Sequence, residues 1–130
     1  MTTPFWCLLI AVFMPYVLST LGGYFKVKQF GALDNKHPRA QAAKLEGAGA
    51  RCYAAQQNAW EALPVFASAV LVAHAAGADP GASASAAVLW VAARALHPVL
   101  YLANIDWARS LAFLVAMGAN IWLFVLAARA

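Results

Sequence analysis

Charge is scarce in this sequence. Only 11% of the 130 residues are charged, against about a quarter in ordinary soluble domains, so a free-standing soluble domain is excluded. Cysteine is also rare: Cys7 and Cys52 lie in or beside separate hydrophobic segments, without the spacing of a disulfide framework or a metal site. We interpret both as buried thiols and predict no metal centre. The sequence also lacks a nucleotide-binding loop and a nucleic-acid-binding surface.

Hydrophobic residues, by contrast, make up 64% of the chain and fall into four long blocks. Each block has roughly the 20 residues needed to cross a hydrocarbon core. Because lipid offers no partners to backbone N–H and C=O groups, such blocks must be helices. We therefore predict an all-α membrane protein, a four-transmembrane-helix bundle forming one integral membrane domain over residues 1–130. The helices are expected at about 5–25, 51–76, 83–105 and 108–129.

The net charge of +4 has a local origin. Most of the basic residues lie between the first two blocks, in a loop expected over 26–50, and the positive-inside rule places that loop in the cytoplasm. Arg129 at the other end is an opposing signal. Pro38 to Glu46 is expected to form a short helix on the membrane surface, with Pro38 in its first turn. The basic residues of this region are Lys26, Lys28, Lys36, Arg39, Lys44 and Arg51.

The second block begins with "RCYAAQQNAWEALPVF", residues 51–66, and is unusually polar for a membrane helix. At 100° per residue, Arg51, Asn58 and Glu61 share one face. A charge near the bilayer centre costs about 2.5–3.5 kcal/mol on insertion scales. That face must therefore turn toward protein, ligand or water. Two interpretations stay open: a structural polar network, or a binding site.

The next two helices add polar groups at the same end of the bundle. Arg94, His97 and Tyr101 have the spacing i, i+3, i+7 and share a face. Asn104 or Asp106 is expected to cap the amino end of the fourth helix. Arg109 and Ser110 are then expected in its first turn, where a cation opposes the helix dipole. An anion is therefore expected nearby, either Asp106 or a ligand bound at the helix terminus. Together these residues predict a polar chamber in the cytoplasmic half of the membrane.

These motifs resemble those of the MAPEG family, the membrane-associated proteins in eicosanoid and glutathione metabolism, and in particular its bacterial branch. Three motifs appear in the order that the family has them, and the resemblance covers most of the chain. Ala54 and Ala62 depart from the pattern, because family members often carry an arginine and an aromatic hydroxyl there. The motifs are Asn58-x-x-Glu61 with Pro64 in a helix led by Arg51, then Arg94-x-x-His97-x-x-x-Tyr101, and then Arg109-Ser110.

The resemblance implies a homotrimer that binds glutathione, as a co-substrate, between neighbouring subunits. It implies a transferase or peroxidase acting on hydrophobic electrophiles in a detoxification-type reaction, with Arg109 beside the sulfur and Ser110 donating a further hydrogen bond. The expected setting is a bacterial inner membrane, with lipid, a small hydrophobic substrate and other copies of the chain as partners. The residues implied to bind glutathione are Lys26, Lys28, Arg51, Gln56, Asn58, Glu61, Arg94, His97 and Tyr101.

Two other classes of protein are alternatives for this sequence. A non-catalytic trimer would use the same polar face for structure, or to bind lipid or another small anion. A small four-helix drug exporter is disfavoured, because that type keeps an essential glutamate in its first helix and the first block here has no acid.

Overall fold

The computed structural model describes all residues from 1 to 130 as an all-helical chain. Four long helices are joined by short connections, and one short helix lies in the first connection. The predicted all-α architecture is thereby confirmed. The helices are α1 (Thr3–Phe30), α2 (Pro38–Ala43), α3 (Gly47–Ala75), α4 (Pro80–Leu102) and α5 (Asp106–Ala128).

The helix ends follow from local chemistry. Helix α1 stops at Gly31, whose φ of 83° is left-handed and whose N–H donates to Val27 O; only glycine adopts that conformation readily. Helix α4 begins at Pro80 and is capped by Asp79, whose carboxylate accepts from Ala82 N–H at 2.7 Å. At these two ends a local backbone or side-chain group, rather than the end of an apolar block, sets where the helix stops or starts.

The observed bounds therefore differ from the expected ones at most ends. Helix α1 runs five residues past the expected 5–25, to Phe30, and α3 begins at Gly47 instead of 51. Part of the expected loop 26–50 is thus helical, and α2 ends at Ala43, short of Glu46. Helix α4 begins at Pro80 and ends at Leu102, and α5 begins at Asp106. The length of an apolar block predicts the part of a helix that lies in lipid, but the helix itself can continue beyond that block, as α1 does up to Gly31.

Small side chains let the helices pack closely. Helix α4 makes its most extensive contacts with α5, and α1 with α3. At the centre, the rings of Phe66 and Trp90 stack with centroids 3.8 Å apart. Small residues allow such close approach in a membrane, where no hydrophobic force drives helices together. The core around these rings is largely alanine: Ala11, Ala69, Ala73, Ala86, Ala87, Ala93, Ala116 and Ala119.

Three of the four long helices, α1, α4 and α5, are long and apolar enough to cross a membrane. Helix α3 has 29 residues, about 44 Å at 1.5 Å per residue, so it is long enough as well. Its polar side chains set it apart: Gln57 and Glu61 are exposed on the single chain. Helix α3 therefore carries more polar residues than a lipid-facing helix would.

Candidate functional site

Helices α3 and α4 are joined by a buried arginine. Arg94 is buried, with only 3% of the residue exposed. It donates to Asn58 Oδ1 at 2.8 Å and to the main-chain oxygen of Asn58 at 3.1 Å. Because Oδ1 accepts from Arg94, the amide nitrogen of Asn58 lies on the other side of the amide and can donate to a ligand. Arg94 therefore fixes which way Asn58 points, and it is itself withdrawn from solvent.

A crevice of about 370 Å³ opens between α3, α4 and the first turns of α5. The Arg109 guanidinium lies 4.4 Å from the centre of the Tyr101 ring, and the His97 and Tyr101 rings meet edge to face at 5.7 Å. Asp106 uses Oδ1 to accept from Trp107 N–H. The crevice is lined by Asn58, His97, Tyr101, Arg109, Ser110, Phe113 and Leu114.

The donors around this crevice suit an anion. Arg109 is a permanent cation, while Ser110, Tyr101 and the Asn58 amide can each donate a hydrogen bond. His97 is buried and its Nδ1 has no hydrogen-bond partner in the protein. An acidic side chain is absent from the lining. The crevice can therefore hold a negatively charged, hydrogen-bonding molecule against the first turn of α5.

A second, deeper pocket of about 210 Å³ shares Asn58 and Phe113 with the crevice. Glu61 and Arg94 line it from α3 and α4. Asn120 lines it from α5; this residue is 4% exposed and its Oδ1 has no partner. Sequence reasoning missed Asn120, although a lone amide within an apolar membrane helix is the kind of residue that marks a functional or packing site.

Other predicted residues lie on a different side of α3. Gln56 and Lys26 line a groove of about 660 Å³ between α1, α2 and α3. Lys26 Nζ donates to Pro38 O at 2.9 Å, which holds the start of α2 against α1. The groove also contains Arg39, Tyr53 and Gln57. Within one chain, therefore, the predicted site residues form two groups that face different ways.

Two further predicted residues line neither the crevice nor the groove. Arg51 Nε donates to Leu102 O at 3.2 Å and thereby ties the start of α3 to the end of α4. Lys28 Nζ lies 5.9 Å from the centre of the Tyr24 ring, near the end of α1. Arg51 thus holds two helices of the crevice together, and the Lys28 side chain is exposed.

The start of α5 differs in detail from the expected cap. Asn104 lies in the connection with a left-handed φ of 60°, and Ile105 is the residue that precedes the helix, without a side-chain cap. Neither Asn104 nor Asp106 therefore caps α5 as predicted. The first turn still presents Arg109 and Ser110 to the crevice.

Comparison with known families is decisive. A family model described as "MAPEG family" matches residues 3–129. The chain belongs to the MAPEG family. Searches of curated proteins and of solved structures found no match. Membership of MAPEG, together with three apolar helices of membrane-spanning length, makes this chain an integral membrane protein. The family generally uses glutathione.

Proposed function

We propose that this protein is a glutathione-dependent membrane transferase or peroxidase that acts on hydrophobic electrophiles. One observation carries the proposal: Arg109 and Ser110, in the first turn of α5, line the same crevice as Asn58, His97 and Tyr101. When bound, glutathione supplies the nucleophile, a thiolate sulfur that adds to an electrophilic carbon of an apolar compound or displaces a leaving group from it; in a peroxidase reaction two glutathione molecules are instead oxidised to the disulfide while a hydroperoxide is reduced to an alcohol and water. The chain's own residues bind the tripeptide and stabilise its charge.

The electrostatic requirement can be estimated. A free thiol with a pKa of about 8.5 is only a few per cent ionised at pH 7. Lowering that pKa by about two units needs about 2.7 kcal/mol of preferential stabilisation of the anion. An arginine beside a helix amino terminus, in a site shielded from water, supplies energies of this size. Arg109 has the charge and the position for this role, and the Ser110 hydroxyl adds a hydrogen bond.

Recognition of the peptide falls to α3 and α4. Arg94 donates to Asn58 Oδ1 and so orients the amide. The amide nitrogen offers N–H donors, which suit a carbonyl or carboxylate oxygen of the ligand. Glu61 offers the opposite charge and suits an ammonium group. Glutathione contains both kinds of group. His97 and Tyr101, both from α4, line the same crevice.

The exposed polar face of α3 supports the association of several copies of the chain. Gln57 and Glu61 are exposed on the single chain, and lipid contact with Glu61 would carry the cost of a charge in hydrocarbon. Copies of the chain that pack α3 against one another remove that contact and make α3 the fourth membrane span. We infer a homotrimer in which the groove containing Lys26 and Gln56 faces the crevice of a neighbour. Glutathione then lies between subunits and is open to the cytoplasm, in a bacterial inner membrane.

The sulfur role is tested with purified protein titrated with glutathione while ultraviolet thiolate absorbance is recorded. The thiolate signal of Arg109→Leu is expected to fall to that of free glutathione at the same pH. Arg109→Lys, which keeps the charge, is expected to retain part of it. A full thiolate signal in Arg109→Leu would end the proposal for this residue.

A non-catalytic trimer is the alternative, and the bond between Arg94 and Asn58 favours it, because these two polar groups satisfy one another. Asn58→Ala and Glu61→Gln separate the two functions. The proposed function predicts weaker glutathione binding with the trimer intact, as judged by calorimetry and by light scattering in detergent. Intact binding with a dissociated trimer would support the structural alternative.

A further inference from the structure

A separate cavity lies at the other end of the bundle from Arg109. It encloses about 500 Å³ where α1 begins, α3 ends and α4 begins, a size typical of small-molecule sites. Along α4, Ser83 of this cavity is about 27 Å from Tyr101 of the crevice, at 1.5 Å per residue. A molecule of ordinary size therefore cannot occupy both places, and the cavity is independent of the proposed glutathione site.

Ser83 is the unusual residue in its lining. The side chain is 7% exposed and its Oγ has no hydrogen-bond partner. Two other helical serines are satisfied by their own helix: Ser68 Oγ donates to Pro64 O at 2.7 Å and Ser85 Oγ to Gly81 O at 3.0 Å. An unpaired buried hydroxyl costs about 1–3 kcal/mol. Because a hydroxyl reorients by rotation about one bond, a molecule in the cavity can supply the missing partner.

The remaining lining defines the chemistry of that molecule. Arg, Lys, Asp and Glu are all absent from it, so a charged head group would be buried without a counter-ion. Hydrogen-bonding side chains come from the start of α1 and the end of α3, where the His74 ring meets Phe5 edge to face at 4.8 Å. The opposite part of the wall is apolar and includes Val70, Ala73 and Leu123.

We propose that this cavity binds a neutral amphiphile. Its hydroxyl or carbonyl group bonds to Ser83, and its alkyl chain lies against Val70, Ala73 and Leu123. The ends of three helices surround the cavity, so it lies near the level where lipid head groups give way to hydrocarbon. The shared chemistry is an uncharged head on an alkyl chain, which a monoacylglycerol of the membrane or a free long-chain alcohol can provide.

Photolabelling tests the proposal without glutathione. Full-length protein in phosphatidylcholine nanodiscs is irradiated with a ten-carbon alcohol that carries a diazirine, and the labelled peptides are identified by mass spectrometry. Labelling is expected to saturate and to concentrate in residues 1–5 and 70–84. Competition by monooleoylglycerol and by unlabelled decanol shows which source binds better. Decanoate, which is charged, is expected to compete at least tenfold less well than decanol.

Two serines of the same helix provide a matched comparison. Ser83→Ala is expected to raise the half-saturating concentration about three- to tenfold, because one hydrogen bond is lost. Ser85→Ala, whose hydroxyl is bonded to its own helix, is expected to leave it unchanged. Ala84→Leu adds bulk at a half-buried position of the lining and is expected to reduce labelling whether or not Ser83 contributes.

The proposal is overturned if labelling rises without saturation and spreads along the exposed faces of α1 and α5, as for ordinary lipid contact. Equal labelling of the Ser83 and Ser85 variants, combined with no effect of Ala84→Leu, would also overturn it. Equal competition by decanoate would refute the neutral head group.

Discussion

Arg94→Leu tests whether this buried arginine acts on a ligand directly or through Asn58. The substitution removes both hydrogen bonds to Asn58, at 2.8 and 3.1 Å. Hydrogen bonds to charged groups contribute about 1.5–3 kcal/mol, but the substitution also removes a guanidinium that is costly to bury. These two terms oppose each other. We therefore expect the free energy of unfolding to change by no more than about 2 kcal/mol, with assembly retained.

Glutathione binding should respond more clearly. Without Arg94, the Asn58 amide can rotate, and its N–H donors lose their fixed direction toward the ligand. We expect the dissociation constant, measured by calorimetry in detergent, to rise about tenfold, which corresponds to about 1.4 kcal/mol. Arg94→Lys keeps the charge but not the two-pronged donor. It should lose nearly as much affinity as Arg94→Leu if orientation is what matters.

A double-mutant cycle distinguishes positioning of Asn58 by Arg94 from direct contact between Arg94 and the ligand. If Arg94 works only by positioning Asn58, the double variant Arg94→Leu/Asn58→Ala will bind glutathione no more weakly than Asn58→Ala alone. Additive losses in affinity would mean that the arginine contacts the ligand itself, and the positioning role inferred from the two hydrogen bonds would be refuted.

Two further predictions concern groups outside the crevice. Asn120→Leu removes an unpartnered buried oxygen and is expected to raise the free energy of unfolding by about 1–3 kcal/mol, measured by denaturation in mixed micelles; an unchanged or lower value would indicate a hydrated pocket. In the first connection, the hydrogen bond from His37 N–H lowers the pKa of Asp34 below its usual 3.8. Because this pKa is lower in the folded state, the stabilisation is present above about pH 3.8 and is lost as the pH falls through the folded value. The protection factor of the His37 amide, its exchange rate relative to that of an unstructured peptide at the same pH, should therefore fall at low pH. In Asp34→Asn, which keeps an acceptor, it should show no such step, and an identical step there would contradict the assignment.

Much of the architecture was predictable because membrane helices follow simple rules. Apolar length located the long helices, and helical spacing correctly grouped His97 with Tyr101 on one face, where their rings meet. The ends were less predictable. Helix α1 continues past the apolar block through Lys26 and Lys28, whose side chains tolerate water, until Gly31 stops it. Hydropathy alone does not indicate where α1 ends.

The site was harder to predict because it depends on contacts between helices. The sequence places Arg94 and Asn58 in different helices, 36 residues apart, so their mutual hydrogen bonds could not be read from spacing. Asn120 was missed for a related reason, since a single polar residue forms no pattern. Gln56 and Lys26 share a groove because α1 and α3 pack together, a pairing that hydropathy does not determine.

The crevice and the groove lie on different sides of α3. In the proposed homotrimer, where the groove of one copy faces the crevice of the next, each copy would contribute half of one reaction centre and half of another. A substitution in one subunit would then affect only the reaction centre to which that residue belongs. A subunit defective at Asn58 and a subunit defective at Gln56 would both be inactive in pure assemblies. Combined in one ring, their intact halves would meet at some boundaries and restore activity there, by complementation between two inactive proteins.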